Sequence, residues 1–188
     1  FGFGDNASGS EVSITNLVNN SGVIAADVSG VGTVRKAIAA ASFGGAIADK
    51  AIFAFGTVAD GSNTNLSNLV NNLGVVASDA TGVGTARSSL AATGYGTGLA
   101  IFAYGYSSGW VSMSNKVSIS GVVASDVGVG TARAELAAAR YGGDKAIFSF
   151  GSVHKTNLVN NVGTVASDVN GVGTSRFALG ASGFSYTT

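Results

Sequence analysis

Short apolar runs, each closed by glycine or by a cluster of Asn, Ser and Thr, follow one another in a fixed order along the chain. One run is apolar and aromatic: Lys50-Ala-Ile-Phe53, Leu99-Ala-Ile-Phe102 and Lys145-Ala-Ile-Phe148, with Phe1-Gly-Phe-Gly4 aligning to its end. Its brevity, its composition and the glycines after it predict a buried β-strand. The next run alternates, Thr15-Asn-Leu-Val-Asn-Asn20 and its counterparts at 67–72, 114–119 and 156–161, and it leads to Gly22, Gly74, Gly121 or Gly163. An Asn-rich approach to glycine suits a tight hairpin with positive φ. A third strand is expected beyond the turn, at 23–25, 75–77, 122–124 and 164–166, ending at an aspartate. A Gly-Val-Gly-Thr connector and an arginine then lead to an alanine-rich run at 37–41, 90–92, 136–139 and 177–181. Alanine favours helix. The brevity of the run and its flanking glycines predict instead a strand placed where only small side chains fit.

The repeat period of roughly 40 to 50 residues belongs to propellers and related arrays. The first aromatic run has no alanine-rich partner before it, and the last alanine-rich run has no aromatic partner after it. Pairing the two across the termini predicts an all-β fold: a four-bladed β-propeller of four-stranded antiparallel blades, a single domain over 1–188, closed by its N- and C-terminal strands. The connector valines would plug apolar space. The alternative is a segment of an open-ended solenoid.

Composition narrows the function classes. The chain of 188 residues has Lys plus Arg equal to Asp plus Glu, 10 each, and only 11% charged residues. No net field draws it to nucleic acid or an anionic surface. Such low charge weakens repulsion between molecules, so self-association is expected. Cysteine is absent, which removes disulfides and thiolate chemistry, and no run of about 18 apolar residues spans a membrane. Proline is absent too, so the 29 glycines make the turns.

Asp27, Asp79, Asp126 and Asp168, with Arg35, Arg87, Arg133 and Arg176, are the charges common to every copy. They read as structural repeat residues, the aspartates accepting backbone N–H bonds in the glycine turn and the arginines tying neighbouring blades. A ring of cation or sugar ligands is the rival reading. The connectors lack the Gly-Lys-Ser/Thr of a phosphate loop. His154 is the sole histidine and is expected exposed on a loop, so no catalytic, cofactor or metal site is assigned. The unrepeated segment Tyr104-Gly-Tyr-Ser-Ser-Gly-Trp-Val-Ser-Met113 holds the only Trp and Met. Tyr104, Tyr106, Trp110 and Met113 form the candidate contact or glycan surface, joined by the loop at 60–65 and, for glycan stacking, by Tyr95 and Tyr141.

The run from Arg133 to Gly151, Arg-x-x-Leu-Ala-Ala-x-x-Tyr-Gly-x-x-x-Ala-Ile-Phe-x-Phe-Gly, resembles the kelch repeat of β-propellers, of the degenerate type found in phage virion and environmental proteins. It departs from kelch in having a single glycine (Gly56, Gly105, Gly151) for the double glycine, and in lacking the later Trp. The resemblance implies a structural or binding protein: a non-enzymatic repeating unit of an extracellular assembly such as a phage fibre, virion decoration or filament, at the extracellular or virion surface. Its partners would be further copies or other subunits. The alternative is a lectin-like glycan-binding module, and a hydrolase with carboxylates in a central channel is the third reading.

Overall fold

The computed structural model describes residues 1–45 and 47–183. Among them every regular element is a strand: β1 (Gly2–Asp5), β2 (Glu11–Thr15), β3 (Ala39–Phe43), β4 (Lys50–Ala54), β5 (Ser67–Val70), β6 (Ala91–Tyr95), β7 (Leu99–Ala103), β8 (Met113–Val117), β9 (Val127–Gly128), β10 (Ala137–Tyr141), β11 (Lys145–Ser149), β12 (Lys155–Val159) and β13 (Val169–Asn170). They form four antiparallel sheets, ordered β1-β2, β3-β4-β5, β6-β7-β8-β9 and β10-β11-β12-β13. The alanine-rich run is a strand in three copies and always takes one edge of its sheet. Its register on the aromatic run is the same each time, Phe43 opposite Lys50, Tyr95 opposite Leu99 and Tyr141 opposite Lys145.

Successive sheets touch mainly through these edge strands. β3 packs on β6 and β7, and β6 packs on β10 and β11. One buried cluster joins Phe43, Ile52 and Phe55 to Leu90, Phe102 and Val117; the next joins Tyr95, Ile101 and Tyr104 to Leu136, Phe148 and Val159. Alanine suits these edges because the neighbouring sheet lies directly against them. β7, in the middle, is buried on both faces, as expected of the aromatic run. A backbone column runs just ahead of the edge strands: Ser89 N–H donates to Ala37 O (3.1 Å), Glu135 N–H to Ser89 O (2.9 Å) and Ala178 N–H to Glu135 O (3.0 Å). All four residues have φ between +50° and +57°. For a side-chain-bearing residue this conformation is costly and persists only where surrounding bonds fix it.

The expected closure does not occur. β1 pairs with β2, and among the described residues no hydrogen bond joins it to the C-terminal segment. Residues 177–183 form no strand; Ala178 extends the column and Gly183 lies against the backbone of Arg140 in β10. The alanine-rich segment thus does at the end of the chain what β6 and β10 do within it, settling beside the preceding edge strand. Phe184, expected to end that strand, lies outside the described residues.

The blades are not four sets of four strands either, since the sheets hold two, three, four and four. The runs at 23–25, 75–77, 122–124 and 164–166 make only single bridges, Val18 to Ile24, Val70 to Val76, Val117 to Val123 and Val159 to Val165. Where a fourth strand forms, as β9 and β13, it lies in the segment read as connector. Side chains take the backbone groups a longer ladder would use. Asn71 Oδ1 accepts N–H from Leu73 and Val75, both at 3.0 Å, and Asn68 Nδ2 donates to Ala77 O at 3.1 Å. In the first copy the strand read at 15–20 comes earlier, as β2 ending at Thr15, while the turn into Gly22 stands as read, with Gly22 at φ +78° and Val18 bridged to Ile24. Of the connector valines only Val129 is buried; Val31, Val83 and Val172 are exposed.

Candidate functional site

The charges common to every copy sit between successive repeats, in a unit of five side chains. Arg87 is fully buried. Its guanidinium lies 4.0 Å over the Phe55 ring, and Nε donates to Tyr104 O at 2.9 Å, Nη1 to Thr85 O at 3.2 Å and Nη2 to Asn115 Oδ1 at 2.5 Å. Burial pulls this guanidinium down to about 10, with the Asp126 charge 3.6 Å away opposing the shift. It therefore stays charged at neutral pH. Arg35 stacks over Phe3 and donates to Leu66 O and Asn68, and Arg133 stacks over Tyr104 at 3.6 Å and donates to Asn157 at 2.7 Å. The stacked residue, Phe3, Phe55 or Tyr104, is itself held at φ of +62° to +64° and meets an aromatic ring of the following repeat, Phe53, Phe102 or Phe148, at 5.3 to 5.7 Å.

The aspartate completes the unit. Asp126 Oδ2 accepts the N–H and the hydroxyl of Thr85, both at 2.8 Å, while Oδ1 accepts from Asn115 Nδ2 at 2.9 Å. Asp79 binds Thr33 and Asn68 in the same way, and Asp168 binds Thr131 and Asn157. Burial pushes each carboxyl up. The hydrogen bonds from Asn and Thr and the nearby arginine outweigh it, so all three lie below the usual carboxylate value.

This geometry explains the Gly-Val-Gly-Thr motif. At Gly32, Gly84 and Gly130, each at positive φ, a Cβ would strike Asp79, Asp126 or Asp168. The glycine admits the carboxylate of the next repeat and the threonine binds it. The first glycine of the motif has a different constraint at Gly82, where a Cβ would collide with the Asn65 carbonyl oxygen. Gly82→Ala should therefore lower stability by about 2 kcal/mol or more, whereas Gly109→Ala, with nothing within 4 Å, should change it by less than about 1 kcal/mol. Urea denaturation of the two variants checks this, and equal midpoints would refute the close-approach account.

Asn68, Asn115 and Asn157 are fully buried and were read from sequence only as part of an approach to a turn. Their signal was present, since Asn stands at the same place in every copy, two residues ahead of a valine. The outer repeats hold half of the unit each. Asn16 Nδ2 reaches Asp27 Oδ1 at 2.7 Å, and Arg176 lies 4.0 Å over Phe150 with Nη1 on Thr174 O at 3.2 Å.

The residues expected to form one contact surface separate. Tyr104 is fully buried, its hydroxyl donating to Asn157 Oδ1 at 2.7 Å, and Tyr95 is buried as well, because both fill the space between sheets. Neither can meet a ligand. Met113 is half-buried in β8, and Tyr141 lines a separate cavity of about 250 Å³ with Lys145 and Leu158. Tyr106 and Trp110 remain exposed and pair with each other through a backbone bridge. With Ser89, Ala134, Glu135 and Ser152 they line a cavity of about 360 Å³. The 60–65 loop does reach this region, Asn63 Nδ2 donating to Tyr106 O at 3.1 Å. His154 is half-buried rather than exposed, stacked on Phe150 at 5.4 Å and 13°.

Among the described residues no group of three or more His, Asp or Glu is placed to hold a metal, and no helix is long and apolar enough to cross a membrane. Comparison of the chain with family models gives no match, and neither does comparison with curated proteins. Fold and site together define a class: an all-β tandem-repeat protein whose shared charges tie each repeat to the next.

Proposed function

We propose that this protein is a non-enzymatic structural or adhesion component, built as a kelch-like propeller-type array and used as a repeating unit of an extracellular assembly such as a fibre, filament or virion decoration. The observation that carries the reading is the destination of the shared charges. Arg35, Arg87 and Arg133, with Asp79, Asp126 and Asp168, are engaged in inter-repeat bonds, so the repeated chemistry serves cohesion between units. A surface with few charges and many hydroxyls and amides suits close apposition of many copies. Antibody labelling of the particle that carries the chain, imaged by electron microscopy, should place it at regular intervals along the exterior. Label confined to the interior, or irregular label, would refute the reading.

A second reading rests on the Tyr106–Trp110 cavity. Two exposed aromatics beside the Glu135 carboxylate and the Ser89 and Ser152 hydroxyls offer a stacking face and hydrogen-bonding groups for one sugar ring. On a glycan array the wild type should give a signal that Trp110→Ala reduces at least roughly tenfold. A signal unaffected by that substitution places any glycan elsewhere.

A further inference from the structure

The cavity beside Tyr106 and Trp110 lies at a junction inside the array, and three of its side chains depart from the repeat at that one place. Tyr106 follows the closing glycine of its copy, where Thr57 and Ser152 stand in the copies on either side. Its bridge partner is Trp110, whereas Thr57 is bridged to Asn63. Glu135 takes the position in the backbone column that Ala37, Ser89 and Ala178 hold elsewhere. Its main chain does what theirs does, donating to Ser89 O at 2.9 Å and accepting from Ala178 N–H at 3.0 Å, with φ at +57°. The column therefore needs no carboxylate. At the preceding junction Thr57, Asn63 and Ser89 stand in the places of Tyr106, Trp110 and Glu135. Two aromatics and an acid thus converge on one cavity for no reason that the repeat supplies.

Glu135 is exposed, and among the described residues no lysine or arginine forms an ion pair with it. It is also the only charged residue lining the cavity, which leaves the space net negative. The faces of Tyr106 and Trp110 add to that field, since an aromatic ring is negative on its face. A cation entering here meets both, whereas a neutral ligand covers the carboxylate without compensating it. The aromatic wall is fixed in advance: Asn63 Nδ2 donates to Tyr106 O at 3.1 Å and to Ser107 O at 3.3 Å, and Val111 N–H donates to Gly105 O at 3.0 Å. Ser152 Oγ accepts from Ala134 N–H at 3.1 Å and keeps its own proton to donate, and the Ser89 hydroxyl lies in the same lining. These hydroxyls suit a ligand that itself carries hydroxyls, and a quaternary ammonium could use neither.

We propose that this cavity binds a sugar carrying an unacetylated amine, its ring against Trp110 and Tyr106 and its ammonium donating to the Glu135 carboxylate. The inference rests on the sugar reading of the cavity and narrows it to a cationic class, of which glucosamine is the simplest member. Ser89 and Ser152 bond the ring hydroxyls. The ammonium and Glu135 make a charge-assisted pair, so the charge of the amine decides which sugars are held tightly.

Trp110 is the only tryptophan, so its fluorescence reports this cavity directly. In mildly acidic buffer, where the amines are charged, a glucosamine trimer should bind at least roughly tenfold more tightly than the N-acetylglucosamine trimer, which offers the same ring without the charge. Added salt should weaken the first and leave the second unchanged. Glu135→Gln should keep the wild-type melting temperature, because the side chain is exposed, and should bring the two trimers level by weakening the charged one alone. Equal affinity of wild type for the two trimers, or a preference that survives Glu135→Gln, would overturn the amine and leave the sugar reading standing. Tetramethylammonium bound as tightly as the glucosamine trimer would also overturn it, since the ring would then contribute nothing. If neither trimer binds while other sugars on the array do, the amine is again overturned; a blank array removes the sugar reading with it.

Discussion

Arg87→Ala is expected to lower the melting temperature by on the order of 10 °C, from a loss of about 3–5 kcal/mol in a chain of this size. The guanidinium is fully buried, and its removal strips partners from Asn115 Oδ1 and the Tyr104 carbonyl while leaving Asp126 without its cation. A void over the Phe55 ring adds to the loss. Arg87→Lys should recover only part of it, because an ammonium can neither stack flat on Phe55 nor donate from three nitrogens at once. Arg176 makes the same stack at the end of the array but is exposed and, among the described residues, meets no asparagine, so Arg176→Ala should cost less than about 1 kcal/mol. Calorimetry of the three variants decides the matter. Equal losses for Arg87→Ala and Arg176→Ala would mean that position between repeats is irrelevant.

Acid should weaken the same units. Asp79, Asp126 and Asp168 have folded values below the ordinary 3.8, so the folded state binds fewer protons than the unfolded chain as the pH drops through that range. Their contribution is complete above about pH 4 to 5 and declines as the pH falls through the lowered values. The melting temperature should be nearly flat from about pH 7 to 5 and fall steeply below about pH 4. Asp126→Asn should lower it by about 5 °C at neutral pH, since the amide keeps one acceptor for Thr85 but turns a donor toward Asn115 or Arg87. The same variant should then lose less than wild type between neutral pH and pH 3. An acid loss as large as that of wild type would remove Asp126 from the account.

The aromatic and alternating strands of the inner copies were legible because each run announces itself locally: aromatic and apolar between glycines, or alternating before Asn and Gly. The edge position of the alanine-rich run followed from side-chain size. Closure was not legible, for a physical reason. The matching of residues 177–183 to β3 and of Phe1–Gly4 to the end of β4 is a likeness of sequence, and it holds equally for an array whose ends await another repeat. What decides between ring and open array is how successive sheets pack on one another, through contacts such as Phe55 on Phe102 and Tyr104 on Phe148. That packing leaves no periodicity in the chain. The length of the last strand was misjudged because Asn68, Asn115 and Asn157 take backbone carbonyls that a ladder would have used. Of the non-repeated residues singled out, Tyr106 and Trp110 lie exposed, whereas Tyr104, which stands in the repeated Phe-x-Phe-Gly position, belongs to the core.

The central claim is that each repeat is held to the next by the Thr–Asp and Arg–Asn unit. A double-mutant cycle on Thr85→Val and Asp126→Ala, at concentrations where the chain is a monomer, measures it most directly. The account predicts a coupling of about 1–3 kcal/mol for this pair and none for the equivalent cycle on Thr174 and Asp27. Additive losses at Thr85 and Asp126, or a coupling between Thr174 and Asp27 within one chain, would contradict it.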